Sequence, residues 1–296
     1  MAKITEGFMP FHGYQTYYRI VGEQIDSKKP LLTIHGGPGS QHDYLESLDG
    51  IAEEYGRQVI YYDQIGCGKS LLPISCPDMW CEELFMEELI ELRKHLGLDE
   101  CHILGQSWGG MLLMKYALTQ PEGVDSMIVA SSPADISLWC DEAIRLMDYM
   151  PAEYADVLKR CMETGDYSGE EFEKAYAEYY SRFVYAQKGE KPEFLRRPKA
   201  GPQPNEVYLT MQGHGEFEVT GKMKTYNVVD RLHEITIPTL VTSGLMDECT
   251  PLIAKQVADG IPGAKWSLFR YSAHLVHAEE PVLYNKIVEE FLEDHE

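Results

Sequence analysis

Cys101-His102-Ile103-Leu104-Gly105-Gln106-Ser107-Trp108-Gly109-Gly110-Met111 combines a short apolar strand, a tight turn and the start of a helix. The helix continues through Leu112, Leu113, Met114, Tyr116, Ala117 and Leu118. Ser107 stands at the corner, inside Gly105-x-Ser107-x-Gly109. A strand that turns abruptly into a helix strains its corner residue and pushes that side chain off the sheet. The neighbours must be small because the two backbones nearly touch. The helix start also aims free N–H groups and a positive dipole end at the serine, where an oxyanion would form during acyl transfer.

Upstream, Tyr17 to Gly22 and Pro30 to Ile34 read as strands, the first an antiparallel edge and the second a buried parallel strand. The second runs into His35-Gly36-Gly37-Pro38-Gly39, a loop whose N–H groups can approach a ligand closely and supply half of an oxyanion hole. Residues 47–54 read as a helix. Gln58 to Tyr62 is a further strand, ending in Asp63-Gln64-Ile65-Gly66-Cys67-Gly68-Lys69-Ser70. That ending lacks the earlier glycine a phosphate-binding P-loop requires. From Cys81 to Leu96, Leu84, Phe85, Leu89, Leu92 and Leu96 recur at helical steps and lead to the strand before Ser107.

Asp125 to Ala130 is another strand, and the alternation so far means a parallel, doubly wound α/β sheet with its site at the strands' C-terminal ends. The rhythm breaks at Pro133. Residues 134–234 are helical, acidic and rich in tyrosine, and read as a helical cap inserted over the sheet. Strands resume at Ile237 to Ser243 and Lys265 to Phe269, with helices at Pro251 to Ile261 and Pro281 to Leu292. The expected organisation is therefore a core of residues 1–133, a cap of 134–234 and a second core segment of 235–296.

Ser107, Asp247 and His274 each follow a strand's C-terminal end, in the order nucleophile, acid, histidine expected of an α/β-hydrolase. A serine hydroxyl is a poor nucleophile until an imidazole takes its proton, and the imidazole needs a carboxylate to fix its tautomer. Histidine suits this because its ordinary pKa of about 6.5 lies near working pH. His277 and His35 are rival bases. His274 is preferred because the small Ser272 and Ala273 let its loop approach the serine. Asp230, the rival acid, follows no strand.

With 296 residues, 44% hydrophobic and 25% charged, the chain has the composition of one large globular domain or a domain with an insertion. A formal net charge of -22 opposes phosphate backbones and anionic membranes, so neither nucleic acid nor membrane is an expected partner. The cysteines at 67, 76, 81, 101, 140, 161 and 249 are scattered, without a C-x-x-C pair, and read as reduced thiols. The N-terminus shows no signal peptide, and no window approaches the ~20 apolar residues of a membrane span. A cytoplasmic protein follows, with a monomer favoured. The histidines include no H-E-x-x-H pair, so neither metal nor cofactor is expected.

The segments His35 to Gly39, Asp63 to Gly68, Gly105 to Gly110 and Gly244 to Glu248 together resemble the proline iminopeptidase (prolyl aminopeptidase) family of serine peptidases. The similarity spans nearly the whole chain, including a cap of matching size. It implies the α/β-hydrolase fold and removal of an N-terminal residue, preferably proline, from short peptides. By position it implies Ser107 as nucleophile, Asp247 as acid and His274 as base, with the N–H groups of Gly37 and Trp108 forming the oxyanion hole. It also implies a clamp for the substrate's free amine, matched by Glu248 and by Glu216 of the cap. An exopeptidase must tell a cationic chain end from an internal amide, and carboxylates in a partly dry pocket do that. Tyr208, eight residues before Glu216, is a candidate support for the clamp. Trp108 and the cap tyrosines are candidates for the wall against the proline ring, or for plain core packing. Cys249, two residues from Asp247, is expected within reach of thiol reagents.

Other readings share these motifs. An amino-acid amide hydrolase would use the same clamp. A carboxylesterase fits the triad, but paired glutamates suit a neutral acyl chain poorly. An epoxide hydrolase or dehalogenase would need aspartate at Ser107. A non-catalytic binding protein on this fold would not need an intact triad.

Overall fold

A computed structural model of the protein describes residues 2–25, 27–203 and 205–296. The strands are β1 (Ile4–Phe11), β2 (Tyr14–Val21), β3 (Leu31–Ile34), β4 (Val59–Tyr62), β5 (Cys101–Gln106), β6 (Val124–Ala130), β7 (Thr239–Gly244) and β8 (Lys265–Phe269). They form one eight-stranded sheet in the order β1-β2-β4-β3-β5-β6-β7-β8. β1 pairs antiparallel with β2, and β2 antiparallel with β4; every other neighbouring pair is parallel. The mostly parallel α/β-hydrolase sheet is thus present, with one addition. Tyr17 to Gly22 does not form the edge, because β1 covers it. β1 has exposed residues at Ile4, Thr5, Glu6 and Phe8 and carries Gly7 and Pro10, so its apolar alternation is too faint to read from sequence.

The central strands are buried on both faces, as parallel strands must be. Their side chains alternate between two cores with period two. Leu32, Ile60, Tyr62, Ile103, Met127 and Val129 enter one core; Leu31, Val59, Tyr61, Leu104, Ile128 and Ala130 enter the other. Of the helices, α1 (Asp49–Tyr55) covers the second core with the last helix of the chain. A 3-10 turn, His42–Leu48, precedes α1, so the single helix expected over 47–54 is split. α2 (Glu82–Leu96) and α3 (Trp108–Ala117) cover the first core. β3 lies between β4 and β5, so the chain winds outward from it in both directions. The loop after β3 and the turn after β5 meet at that switch point, where open α/β sheets bind ligands.

Between β6 and β7 the chain forms α4 (Ile136–Met147), α5 (Ala152–Thr164), α6 (Glu170–Phe183), α7 (Glu193–Arg196) and α8 (Glu206–Met211). α4, α5 and α6 are amphipathic and bury Ala143, Met147, Leu158, Ala175, Tyr179 and Phe183 in a third apolar cluster. Asp135 caps α4 by accepting from Ser137 N, and Asn205 caps α8 by accepting from Val207 N. The chain then returns through α9 (Pro251–Gly260), the short α10 (Val276–Glu279) and α11 (Pro281–Glu293). Among the described residues no helix is long and apolar enough to cross a membrane.

Candidate active site

Ser107 has φ 56° and ψ -123°, a strained conformation for a residue with a Cβ. The surroundings enforce it. A Cβ on Gly105 would strike the carbonyl of Gly109, and one on Gly109 would strike the carbonyl of Ile34 at the end of β3. Only glycine lets β5, α3 and β3 approach this closely. Ser107 N donates to Ala130 O of β6 (2.9 Å), which pins the corner to the sheet. As the first helical residue, Trp108 has an N–H with no acceptor inside α3.

Asp247 and His274 follow β7 and β8. Asp247 is buried, and its Oδ1 lies 2.8 Å from His274 Nδ1. The same oxygen accepts from Cys249 N at 2.7 Å, and Oδ2 from Gly244 N at 3.3 Å. This fixes the carboxylate and leaves His274 Nε2 free to face the cavity. Burial alone would lower the His274 pKa; the carboxylates of Asp247, Glu248 and Glu216 outweigh it and raise the value to about 9.

The rival residues lie elsewhere. His277 is buried against the Tyr44 and Tyr284 rings, with Nε2 3.1 Å from Tyr44 O, and burial lowers its pKa to about 3. His35 spends both nitrogens on backbone: Nδ1 donates to Gly36 O of its own loop and Nε2 accepts from Gln64 N of the loop after β4. Asp230 is exposed on a surface turn.

Ser107, Gly37, His274, Glu216, Glu248 and Tyr208 all line one cavity of about 680 Å³, walled also by residues of α6, α7 and α8. Tyr208 OH donates to Glu216 Oε1 at 2.8 Å. Glu248 is fully buried and its Oε1 lies 3.7 Å from His274 Nε2. Its Oε2 is buried too, with no donor in hydrogen-bond geometry among the described residues; the buried Tyr179 hydroxyl beside the carboxylate is likewise unpartnered. Burial raises the pKa of both glutamates, and at Glu248 the neighbouring Glu216 and Asp247 raise it further. Tyr167, Phe172, Tyr176 and Tyr180 provide aromatic wall. Trp108 provides none. Its ring is 1% exposed, packs edge-on to Phe85 and donates Nε1–H to Gln64 Oε1, because α3 turns it into the core beneath the site.

Cys249 does lie beside Asp247, but it is fully buried. Burial and the carboxylates of Asp247 and Glu248 push its thiol well above the ordinary range. Reagents therefore meet neither an accessible sulfur nor a thiolate there, and the expected reactivity fails on both counts. Among the described residues no group of three His, Cys, Asp or Glu side chains is placed to hold a metal ion.

Several residues not singled out from sequence hold the site together. Gln64 donates to His35 O and accepts from Trp108 Nε1, joining the glycine loop to the start of α3. Gln106 accepts from Tyr44 OH and donates weakly to His274 O, while Tyr44 OH accepts from Gly36 N. Trp139 of α4 donates to Glu216 O and sets its ring edge-on to His274. Gln64 and Gln106 each sit at the end of a buried strand, a position that marks them once the sheet is assigned. Trp139 carries no comparable signal.

Comparison with known proteins identifies the family. Residues 29–281 match the family model of the alpha/beta hydrolase fold. The chain is 49% identical to a proline iminopeptidase of Clostridioides difficile and 47% identical to one of Clostridium botulinum, over 98% of each chain in both cases. The crystal structure of the proline iminopeptidase of Mycobacterium smegmatis superposes with a TM-score of 0.88 at 34% identity, covering 98% of both chains. The chain belongs to the proline iminopeptidase family of α/β-hydrolases.

Proposed function

We propose that the protein is a serine aminopeptidase that releases N-terminal proline from short peptides through an acyl-enzyme on Ser107. His274 Nε2 takes the Ser107 proton as Oγ attacks the first carbonyl, and Asp247 stabilises the imidazolium. The N–H groups of Gly37 and Trp108 receive the oxyanion. The leaving amine takes the proton back from His274, and water, activated by the same base, then hydrolyses the ester and frees proline. All the groups named come from one chain, which suits a monomer. The seven cysteines are free thiols, which suits the reducing cytoplasm.

The observation that carries the substrate class is the unpartnered, buried Glu248 Oε2 in the same cavity as Glu216, Ser107 and His274. A carboxylate in a dry, tyrosine-lined site is costly until a cation reaches it. A protonated secondary amine supplies that charge and two N–H donors, and the prolyl ring would lie on the aromatic wall. The same clamp accepts an amino-acid amide, so the leaving group must be read separately.

The test compares release of the chromophore from proline anilide with a free amine and from the same compound with the amine acylated. We expect the free form alone to be cleaved, with blocking costing roughly 100-fold or more in kcat/KM, as loss of charge-assisted hydrogen bonds implies. Equal cleavage of both would remove the glutamates from recognition.

A further inference from the structure

Tyr44 lines the cavity, yet the proposed reaction gives its hydroxyl no part. β3 and β5 pair in register as far as Ile34 and Gly105. Beyond that point the ladder cannot continue, because β5 turns into α3 at Ser107. Gly36 N, just past the last pair, donates instead to Tyr44 OH at 2.7 Å. Tyr44 OH in turn donates to Gln106 Oε1 at 2.6 Å. Gln106 precedes Ser107, and its amide nitrogen lies 3.4 Å from His274 O. One side chain thus bridges the glycine loop and the strand that ends at the serine, and through Gln106 it reaches the loop of His274.

The loop needs such a bridge. A Cβ on Gly36 would lie 2.8 Å from Gln106 Oε1 and 2.9 Å from Ser107 Cβ, so glycine is required, and glycine leaves the peptide planes on either side free to swing. Three hydrogen bonds hold those planes. Gln64 Nε2 donates to His35 O at 2.8 Å and His35 Nδ1 to Gly36 O at 2.9 Å; with His35 Nε2 bound to Gln64 N, both tie the loop toward β4. The bond from Gly36 N to Tyr44 OH ties it the other way, toward β5 and Ser107. Tyr44 is itself held: His277 Nε2 donates to Tyr44 O at 3.1 Å, and the two rings lie 5.6 Å apart. Burial raises the pKa of the hydroxyl, which therefore keeps its one proton for Gln106 and offers its oxygen to Gly36 N.

We propose that Tyr44 is a positioning residue of the oxyanion hole: its hydroxyl draws the glycine loop to the β5 side and so sets Gly37 N–H in register with Ser107. The inference rests on the acyl-transfer reading of the cavity, in which Gly37 N–H receives the oxyanion. The trans peptide plane that carries Gly37 N–H also carries Gly36 C=O, so a shift of Gly36 toward β4 moves the donor away from the serine. A donor set for the oxyanion stabilises the tetrahedral state far more than the bound substrate. Loss of the Tyr44 hydroxyl therefore belongs in kcat, whereas a hydroxyl that gripped the substrate would show in KM.

The experiment measures kcat and KM for proline anilide in the wild type, Tyr44→Phe, Gln106→Met and the double variant. It adds inhibition by a prolyl boronic acid, whose Ser107 adduct places an oxygen in the hole, and by pyrrolidine, which offers the amine alone. Tyr44→Phe should lower kcat roughly 10-fold to 100-fold, short of the loss of a whole oxyanion donor. It should weaken the boronate by a similar factor and leave KM and pyrrolidine binding within about twofold. Because both residues act through one bridge, the double variant should lose less than the product of the single losses. A raised KM with kcat kept, equal weakening of boronate and pyrrolidine, or single losses that multiply in the double variant overturns the positioning role. If Tyr44→Phe does not fold, Gln106→Met decides: it removes the other end of the bridge, and must lower kcat and boronate affinity while sparing pyrrolidine. If the wild type leaves proline anilide uncut, the aminopeptidase reading falls. The hydroxyl is then read with p-nitrophenyl acetate, whose hydrolysis forms the same oxyanion, and an unchanged rate in Tyr44→Phe overturns the positioning role as well.

Discussion

At the scale of single residues, Glu248 and His274 share one electrostatic problem. In the proposed mechanism His274 must be neutral to accept the Ser107 proton, yet three carboxylates outweigh its burial and raise its pKa to about 9. Glu248 Oε1 lies 3.7 Å from His274 Nε2, the nitrogen that would take that proton. An arriving substrate ammonium gives Glu216 and Glu248 the positive charge they otherwise draw from a protonated imidazole. Amine binding and release of the base are thereby linked. Glu248→Gln keeps the shape and removes the charge, so it lowers the His274 pKa. Since kcat/KM reports groups of the free enzyme, its acid limb should move to lower pH, by about one to three units for a charge this close. The value at the optimum should fall about 10- to 100-fold through loss of the charge-assisted bond. A pH profile of both enzymes on one substrate checks this. A limb that stays in place or moves up removes Glu248 from control of the base.

At the scale of elements, helix α2 does more than fill the first core. Glu88, in its middle, is fully buried and accepts from Thr16 Oγ1 of β2 and from Ile65 N. It thus holds the Asp63 to Gly68 loop that presents Gln64. Burial is the chief cause that raises its pKa, to about 8. An acid whose folded pKa exceeds its unfolded value favours folding fully below the unfolded value, near 4.5, and loses that contribution as pH rises through 8. Glu88→Gln has no such dependence and keeps an acceptor for Ile65 N. The variant should therefore gain on the wild type between pH 5 and pH 8, by on the order of a few kcal/mol. For a chain of this size that is a Tm difference of roughly 5 °C or more. Thermal melts at the two pH values read it, and a gap that does not widen with pH contradicts the assignment.

The element scale is also where the sequence was most legible, and the reasons are physical. β3, β4, β5 and β7 are buried throughout, and β6 at every residue but Asp125; short apolar runs bounded by glycine or proline announce such strands. Ser107, Asp247 and His274 could be named because each follows one of these strands or β8. β1 escaped because a solvent-facing edge strand need not alternate cleanly; its only local sign was the His12-Gly13 turn, where both residues have positive φ. The supporting contacts of Gln64, Trp139 and Glu88 escaped for a different reason. They join positions 23 to 77 residues apart, and nothing local encodes such a distance.

At the scale of the molecule, the helices between β6 and β7 are stitched to the loops that carry Asp247 and His274. Glu248 N donates to Phe183 O, and Leu275 N to Val184 O, both at 3.1 Å. Glu279 accepts from Ala186 N on one oxygen and from Ala273 N on the other. The apolar cluster of these helices is completed by Leu275 and Ala278, which belong to the final core segment. Separated from the core, the helices would expose that cluster. Stripped of the helices, the loops of Asp247 and His274 would lose three backbone anchors. The two parts should therefore unfold together. Trp139 is the tryptophan carried by the inserted helices, and its ring packs in the same apolar core as Trp80, Trp108 and Trp266, so its signal reports the seam between the two parts. On heating, activity, far-UV circular dichroism and the fluorescence difference between wild type and Trp139→Phe should fall in one coincident transition. A Trp139 signal lost several degrees before the dichroism would mean an insertion that melts alone, and the stitching at residues 183–186 would then carry little of the stability of the active site.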